Sequence, residues 1–437
     1  MPRATPLSAS PGTESEVTRL VEHLFRHESG KMVATLARIV GFDNLHLAED
    51  AVQDALLKAM QNWAFNGLPR NPSAWLMQVA KNHALDVVRR ERNFRSKEEE
   101  IAAFVEQDHG GRAGPQPPCF DDEIRDDQLR MMFACCHPVV PAEAQVALTL
   151  KTLCGFGEDE IAAAFLTSKA AIAKRLVRAR QRLRETRILF EIPAGQELSA
   201  RLDAVLQTLY LVFNEGYKAS QGEELVRKDL CDEAIRLTTL LSEHPAGNRP
   251  KTHALLSLML LSGARLSARV DGEGNLLLLA EQDRSRWDRP MIQRGLLHLH
   301  KSADGEEISE FHLQAGIAYC HCTAASYETT DWQRILTLYD ILVETNSSPV
   351  VALNRAVAIS RVRGPAAGLN AVELIPDRAT LELYYLLHAV VAQFHFDLGN
   401  FGEAAKHFQR AQTLAGVRSE QEFLANRLRS CREKLAG

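Results

Sequence analysis

The sequence predicts an all-α protein built from three helical parts. Apolar residues recur at three- and four-residue steps along most of the 437-residue chain, which is the period of an amphipathic helix. No stretch sustains the period-two alternation of a half-buried strand. Two breaks interrupt the helical pattern, a polar segment rich in Gly and Pro and a second one at Pro193 and Gly195. We therefore expect two small helical domains over residues 15–95 and 127–190, a flexible linker over 96–126 and a large α-helical domain over 198–437.

The charge and composition of the chain exclude several classes of protein. The formal net charge is −5, so any nucleic-acid binding must come from local basic patches. No apolar run approaches the ~20 residues of a membrane span, and the N-terminus lacks the apolar core of a signal peptide. Eight cysteines in no even framework indicate reduced thiols. We therefore expect a cytoplasmic protein that binds no membrane.

Residues 155–187 predict a helix-turn-helix. Ile161 lies in a short apolar helix, Leu166 and Thr167 form the turn, and Ser168 is suited to cap the second helix. The apolar stripe of the second helix consists of Ile172, Leu176, Ala179 and Leu183. Its basic residues are Lys169, Lys174, Arg175, Arg178, Arg180, Arg182, Arg184 and Arg187. Because a single acidic residue stands among these cations, the pattern favours a DNA recognition helix over an ordinary solvated helix.

The first domain contains two further helices with distinct charge. His46–Trp63 is amphipathic, and its outward face is expected to carry Glu49, Asp50, Gln53, Asp54 and Lys58. Asn71–Arg95 carries Trp75 on an apolar stripe, where a lone aromatic residue is more typical of a core than of a base-stacking platform. The polar end of this helix consists of Lys81, Asn82, Asp86, Arg89, Arg90, Arg92, Asn93 and Arg95. Asn and Arg side chains can contact base edges, and clustered Arg binds phosphate.

These parts, in this order, resemble the extracytoplasmic-function (ECF) sigma factors of bacterial RNA polymerase. The stretch Ala48–Met60 resembles the helix with which the family binds the core enzyme. Pro72–Arg90 resembles the helix that melts and reads the minus-ten promoter element, and residues 143–187 resemble the domain that reads the minus-thirty-five element. Some members carry an all-α C-terminal extension similar to a tetratricopeptide (TPR) array, and residues 198–437 look similar to that subgroup.

The resemblance implies a function, two partners and a set of site residues. The chain would be a sigma factor that binds core RNA polymerase and promoter DNA. Core polymerase would contact Asp50, Gln53 and Asp54, for which a plain solvated helix face remains the alternative. The minus-ten strand would contact Asn82, Asp86, Arg89, Arg90 and Asn93. The minus-thirty-five element would contact Ser168, Lys169, Ala171, Lys174, Arg175 and Arg178.

The C-terminal third shows a weak internal repeat. In His388–Ala415, small and aromatic residues surround a Gly-Asn-Phe turn in the manner of a TPR helix pair, and Asp331–Gly364 reads as a looser second pair. A generic α-helical domain is an equally good interpretation. Either would offer a regulatory surface, so a regulatory protein or ligand on the C-terminal domain is a further expected partner.

Other chemistry finds little support in the sequence. Cys135-Cys136-His137 and Cys320-His321-Cys322 lack the paired spacing of structural zinc sites, so we expect no metal. No nucleophile with a base and no pair of carboxylates stands out, so we expect neither an enzyme nor a cofactor. The apolar segment Asp121–Pro141 is not explained by the resemblance, and we expect it to pack on the C-terminal extension.

Two other functions remain as alternatives. A helix-turn-helix transcriptional regulator would bind an operator and sense a ligand with its C-terminal domain. A TPR-type scaffold would carry the basic helix incidentally. The first domain argues against the regulator, because a repressor has no need of the Ala48–Met60 and Pro72–Arg90 helices.

Overall fold

The computed structural model describes residues 11–41, 44–91, 126–185, 196–219, 225–272 and 275–436. Within these ranges the regular elements are helices, and the only β pairing is one isolated antiparallel bridge between Val270 and Leu276. The predicted all-α fold class is confirmed. Of the predicted linker over 96–126, only Asp126 belongs to the described residues.

The described residues divide into two compact units. The first unit holds those up to Ala162 and those from Ser168 to Thr208, and the second unit holds residues 163–167 and those from Leu209 onwards. The helices up to the boundary are α1 (Pro11–Val40), α2 (Leu45–Asn66), α3 (Pro72–Glu91), α4 (Asp127–Cys135), α5 (Ala142–Leu153), α6 (Glu158–Ala164), α7 (Lys169–Glu185) and α8 (Gln196–Tyr217). Both α6 and α8 cross the division between the units.

In the first unit, α2 packs against α1 and α3. Ala51, Ala55 and Ala59 recur every four residues and so lie on one face of α2. All three residues are fully buried. At its C-terminal end the buried ring of Trp63 meets the ring of Trp75 edge to face, with 5.4 Å between the centroids. Trp75 therefore belongs to the packing of α3 on α2, as its position on the apolar stripe predicts.

Helix α1 also packs against α4 and α5. At Gly30 the backbones come so close that a Cβ atom would overlap the carbonyl oxygen of Leu153. Met131 and Phe133 are fully buried in the first unit, which explains the apolar character of the predicted segment around them. Arg201, which lies in α8, donates a hydrogen bond of 3.1 Å to the carbonyl oxygen of Phe133. Arg201 belongs to the first helix of the predicted extension, so the segment contacts the extension as well as α1 and α5.

The helix-turn-helix begins with α6 and ends with α7. Leu166 adopts φ +48°, which turns the chain between the two helices. Ser168 caps α7, because its Oγ accepts a hydrogen bond of 3.2 Å from the backbone N–H of Ala171. Helix α7 packs on α5, and its predicted stripe of Ile172, Leu176, Ala179 and Leu183 is buried.

The second unit is a succession of helices, each packed on its neighbours in sequence. They are α9 (Lys228–Glu243), α10 (Pro250–Gly263), α11 (Arg289–Ser302), α12 (Glu310–Thr323), α13 (Trp332–Thr345), α14 (Pro349–Arg363), α15 (Pro365–Glu373), α16 (Tyr385–Asp397), α17 (Phe401–Leu414) and α18 (Arg418–Ala436). Short 3₁₀ turns lie at Leu266–Ala268, Arg284–Arg286 and Arg378–Leu381. None of the helices that the structure describes is both long and apolar enough to cross a membrane.

The predicted helix pairs of the extension form. Helices α16 and α17 pack together across a turn at Gly399, whose φ of +77° suits glycine. Ala392, Ala404 and Phe408 are buried between them and α18. Helices α13 and α14 form the second pair. The TPR-like character of the extension stays a prediction.

Phe408→Ala should loosen this part of the second unit locally. A cavity at a fully buried Phe costs about 3–5 kcal/mol, so amide exchange in peptides from residues 385–431 should accelerate about 100-fold or more. Hydrogen exchange followed by mass spectrometry of the full chain measures this. Leu374→Ala removes a side chain that is 80% exposed and should change exchange little. Equal effects of the two substitutions would contradict the assigned core.

Candidate nucleic-acid and protein interface

The outward face of α2 is partly acidic and partly apolar. Asp50 and Gln53 are exposed, as the sequence predicts. Leu57 and Met60 lie two turns further along the same face, and both are exposed. Phe65 is also exposed near the end of the helix. Sequence reasoning named only polar residues on the outward face of α2 and so missed these apolar residues, although the seven-residue step from Asp50 to Leu57 was available as a signal.

Asp54 differs from its two acidic-face neighbours because it has partners within the first unit. Its Oδ2 lies 2.7 Å from Lys58 Nζ and 2.6 Å from His83 Nδ1. The hydrogen bond from Lys58, and after it the one with His83, lowers the pKa of the Asp54 carboxyl, against the opposing effect of burial. Since His83 belongs to α3, the side chain of Asp54 links α2 to α3.

The polar end of α3 is exposed as far as it is described. Asn82, Asp86 and Arg89 are exposed, with Asp86 Oδ1 and Arg89 Nη1 at 3.9 Å. Asn82 accepts a hydrogen bond of 2.9 Å from the side chain of Gln78. The side chain of Arg90 and the whole of Asn93 lie outside the described residues. Lys81, which the sequence placed on this polar end, is buried instead, because it faces the packed side of α3.

The predicted contact residues of α7 fall into two groups. Ser168, Lys169, Lys174 and Arg178 are exposed, whereas Ala171 and Arg175 are partly buried. Arg175 Nη2 lies 2.8 Å from Glu143 Oε2 of α5, so this cation helps to hold α7 on α5. Lys169 Nζ donates a hydrogen bond of 2.8 Å to Asp159, which raises the pKa of the amine.

Further side chains of α7 share the exposed face with Lys174. Ala170 precedes Lys174 by four residues, Val177 follows Lys174 by three, and Gln181 follows Val177 by four. All three residues are exposed. Val177 is 62% exposed, which is unusual for an aliphatic residue in a helix with a complete buried stripe. Gln181 donates a hydrogen bond of 2.7 Å to Glu185. Sequence reasoning did not name these residues as DNA contacts, because its candidates were the basic residues and two residues at the start of the helix.

Among the residues predicted to face outward on α2, Glu49 departs most from the prediction. The sequence places it outward, but its side chain is only 16% exposed. Arg180 Nη2 of α7 lies 2.9 Å from each of its two oxygens, and Thr152 of α5 donates a hydrogen bond of 2.7 Å. The prediction for Glu49 was wrong because helical periodicity within α2 carries no information about a neighbouring domain.

The two Cys-His segments, Cys135-Cys136-His137 and Cys320-His321-Cys322, lie in mostly buried surroundings. Cys135 and Cys136 are fully buried, and burial raises the pKa of the Cys136 thiol to about 12. Burial and the nearby Arg265 and Arg284 lower the pKa of His321 to about 3. Among the residues that the structure describes, no cluster of three or more His, Cys, Asp or Glu side chains could hold a metal ion.

Comparison with known families assigns both domains of the first unit. Residues 24–94 match Sigma-70 region 2, and residues 130–183 match Sigma-70, region 4. The chain belongs to the sigma-70 family. In this sigma factor, α2 and α3 lie in region 2, whereas α5, α6 and α7 lie in region 4. The domains are those of a transcription initiation factor.

The extension of the sigma factor has a match without an assigned function. Residues 201–303 match a family of unknown function, DUF6596. A protein of Rhizobium meliloti (strain 1021) that is described as uncharacterized is 41% identical over 389 residues, which are 89% of this chain and 90% of that protein. The relationship therefore includes the extension as well as regions 2 and 4. No solved structure matches the chain.

Asp54→Asn should reduce stability at neutral pH and not in acid. A carboxyl whose pKa is lowered in the folded chain stabilises it above the ordinary value of 3.8, and this stabilisation is lost as pH falls through the lowered pKa. We expect a loss of about 0.5 kcal/mol at pH 7, since the ion pair is partly exposed and screened.

Urea midpoints of the wild-type chain and the Asp54→Asn variant, measured from pH 7 towards pH ~3, give this difference directly. Asp50→Asn, on the exposed face of the same helix, is the matched control and should change the midpoint less. A difference that persists undiminished in acid would contradict the role given to the Asp54 carboxylate.

Proposed function

We propose that this chain is an ECF-type sigma factor that binds core RNA polymerase with the outward face of α2 and reads promoter DNA with α3 and α7. The observation that carries the proposal is the exposed acidic and apolar face of α2 in a region 2 domain, together with the exposed polar end of α3 in the same domain. Region 4 adds a helix-turn-helix whose second helix is basic.

The face of α2 has the composition of a protein-binding surface. Leu57, Met60 and Phe65 are large apolar side chains that α2 leaves exposed. Exposed apolar residues inside a polar rim are typical anchors of protein interfaces. Asp50 and Gln53 supply that rim and favour a partner with basic or amide groups opposite them. This supports docking on a charged helical surface of core polymerase, with Leu57 and Met60 added to the acidic residues that the sequence suggested.

Leu57→Asp should weaken the binding of core polymerase. Loss of a central apolar anchor costs about 2 kcal/mol, which corresponds to an affinity about 30-fold lower. Titration of fluorescently labelled full-length chain with purified core enzyme measures this affinity. Leu435→Asp is the matched control, because Leu57 and Leu435 are both 58% exposed. Equal affinities of the two variants would contradict the docking surface.

The exposed end of α3 supports contact with the minus-ten strand. Asn82 and Arg89 offer hydrogen-bond donors of the kind that bind base edges and phosphates, and Asp86 can accept from a base amino group. Capture of an unstacked base by such groups would lower the cost of melting. Arg90 and Asn93 remain part of the proposal from the resemblance.

The exposed face of α7 supports contact with the minus-thirty-five element. Lys174 can donate to the O6 and N7 atoms of guanine, Gln181 can bind adenine through its amide, and Val177 can contact the methyl group of thymine. Arg178, which is exposed on the same helix, would bind phosphate. Ser168 and Arg175 act mainly inside the protein, the first as the helix cap and the second in the pair with Glu143.

Val177→Ala and Arg178→Ala should have different effects on DNA binding. Val177→Ala should relax the preference at one base position, by about 1 kcal/mol or ~5-fold, because a methyl contact is lost. Arg178→Ala should weaken binding to all sequences about equally and reduce the salt slope by about 1. Selection from a randomised promoter library with reconstituted holoenzyme measures both effects. Identical sequence preferences in the two variants would contradict these roles.

The extension would modulate the activity of regions 2 and 4. Leu374 and Leu383, which belong to the second unit of the chain, are exposed, and these apolar side chains offer contacts to a regulatory protein or ligand. The stacked helix pairs supply a rigid frame for such a surface, as helical repeats do.

Copurification with core polymerase is the experiment that separates the proposal from its alternatives. The full chain, mixed with core enzyme, should elute in a stoichiometric complex on a gel-filtration column. A helix-turn-helix regulator would bind duplex DNA and leave the core enzyme unbound. A chain that binds neither core enzyme nor DNA would fit the scaffold alternative.

A further inference from the structure

A charged contact joins the two DNA-reading domains of the first unit. Glu49 comes from α2 in region 2, whereas Thr152 and Arg180 come from α5 and α7 in region 4. We infer that these three residues, named here the latch, hold the free chain in a closed state that must open before both promoter elements are bound. The inference rests on the proposed function, because only a sigma factor has to place the two domains on separate elements.

The geometry of the latch is that of a strong interaction. Arg180 Nη2 lies 2.9 Å from both oxygens of Glu49, and the Thr152 hydroxyl donates a third hydrogen bond of 2.7 Å to the same carboxylate. The side chains of Glu49 and Arg180 are 16% and 28% exposed, so water and salt screen the pair less than a fully exposed pair. Charge-assisted hydrogen bonds of this kind are stronger than neutral ones.

Packing of α1 supports the closed state from a second side. The missing side chain of Gly30 lets α1 of region 2 reach the backbone of Leu153 in region 4. Arg38 Nη1 of α1 lies 3.6 Å from Asp127 Oδ1 of α4. Leu36, on the same helix, is fully buried. The two domains therefore meet where α1 packs against α4 and α5, through a close backbone approach and through ion pairs.

The closed state is incompatible with simultaneous reading of two promoter elements. Elements centred at minus ten and minus thirty-five lie about 25 base pairs apart, or ~85 Å along B-DNA. In the latch, a side chain of the recognition helix α7 bonds directly to a side chain of α2. Helix α2 has 22 residues and is therefore only ~33 Å long. Both elements can be occupied only after the latch has broken.

The latch would act by holding regions 2 and 4 too close together to reach both promoter elements. It leaves the proposed DNA-reading face of α7 accessible. Lys174, Val177 and Gln181 stay exposed while Arg180 is bound to Glu49. Region 4 could therefore meet DNA in the closed state, but regions 2 and 4 could not engage the promoter together. Because only the open fraction binds productively, the closed state lowers the apparent affinity for core polymerase and promoter by that fraction.

Fluorescence energy transfer within the full chain tests the closed state directly. The described native cysteines are all buried, and Cys119, which lies outside the described residues, is replaced by Ser. Cysteines introduced at the exposed positions Asn62 of α2 and Arg182 of α7 can then be labelled selectively. Transfer should be high in the free chain and should fall when core polymerase and promoter are added. In the free chain, Glu49→Gln should lower transfer, and exchanging the charges with Glu49→Arg and Arg180→Glu together should restore it.

Affinity measurements give a second readout with matched controls. Glu49→Gln and Gly30→Ala should each tighten the binding of core polymerase about 3- to 10-fold, because both favour the open state. Gly402→Ala is the control for Gly30→Ala, since Gly402 also lies in a helix but has open space around its Cα. Glu403→Gln controls for loss of a carboxylate in an ion pair on a helix surface.

The outcomes separate the latch from the proposed function. Unchanged transfer on addition of polymerase and promoter, in a chain that initiates transcription, would overturn the latch and leave the function intact. Low transfer in the free wild-type chain would also overturn it. The third outcome is high transfer in the free chain that is lost with Glu49→Gln, in a chain that does not bind core polymerase. This result would support the closed contact, but it would contradict both the proposed function and the need for the contact to open.

Discussion

The close approach of α1 to α5 at Gly30 is the constraint on which the arrangement of the first unit depends. With no side chain at this position, the helix of region 2 can lie against the backbone of Leu153, and Glu49 then comes within reach of Thr152 and Arg180. Any larger residue at position 30 would separate these elements. A single glycine thus couples the packing of region 2 to the electrostatics of the recognition helix.

Pairing of charges explains how a chain of net charge −5 can carry a basic DNA-binding helix. Lys169, Arg175 and Arg180 of α7 face Asp159, Glu143 and Glu49, which come from three other helices or domains. These cations hold region 4 together or hold it to region 2, whereas Lys174 and Arg178 face outwards. The positive charge of the helix therefore has two uses, internal pairing and proposed phosphate contact.

Local patterns predicted most of the helices, and tertiary contacts account for the errors. The expected helix His46–Trp63 is observed as Leu45–Asn66, and the turn and cap at Leu166 and Ser168 form as predicted, because these features depend on neighbours in sequence. Glu49 and Lys81 were placed outward wrongly, since their partners lie in other elements. The exposed Leu57 could have been found from the helical period of α2 itself. The roles of the site residues and the domain boundaries remain predictions.

Run-off transcription with purified core RNA polymerase and the full chain on genomic fragments would show whether the chain initiates transcription. Transcripts should start at discrete sites only when the chain is present, and the DNA upstream of these starts should share two sequence elements about 25 base pairs apart. Absence of chain-dependent starts, with a core polymerase that is active alongside a known sigma factor, would contradict the assignment of the chain as a sigma factor.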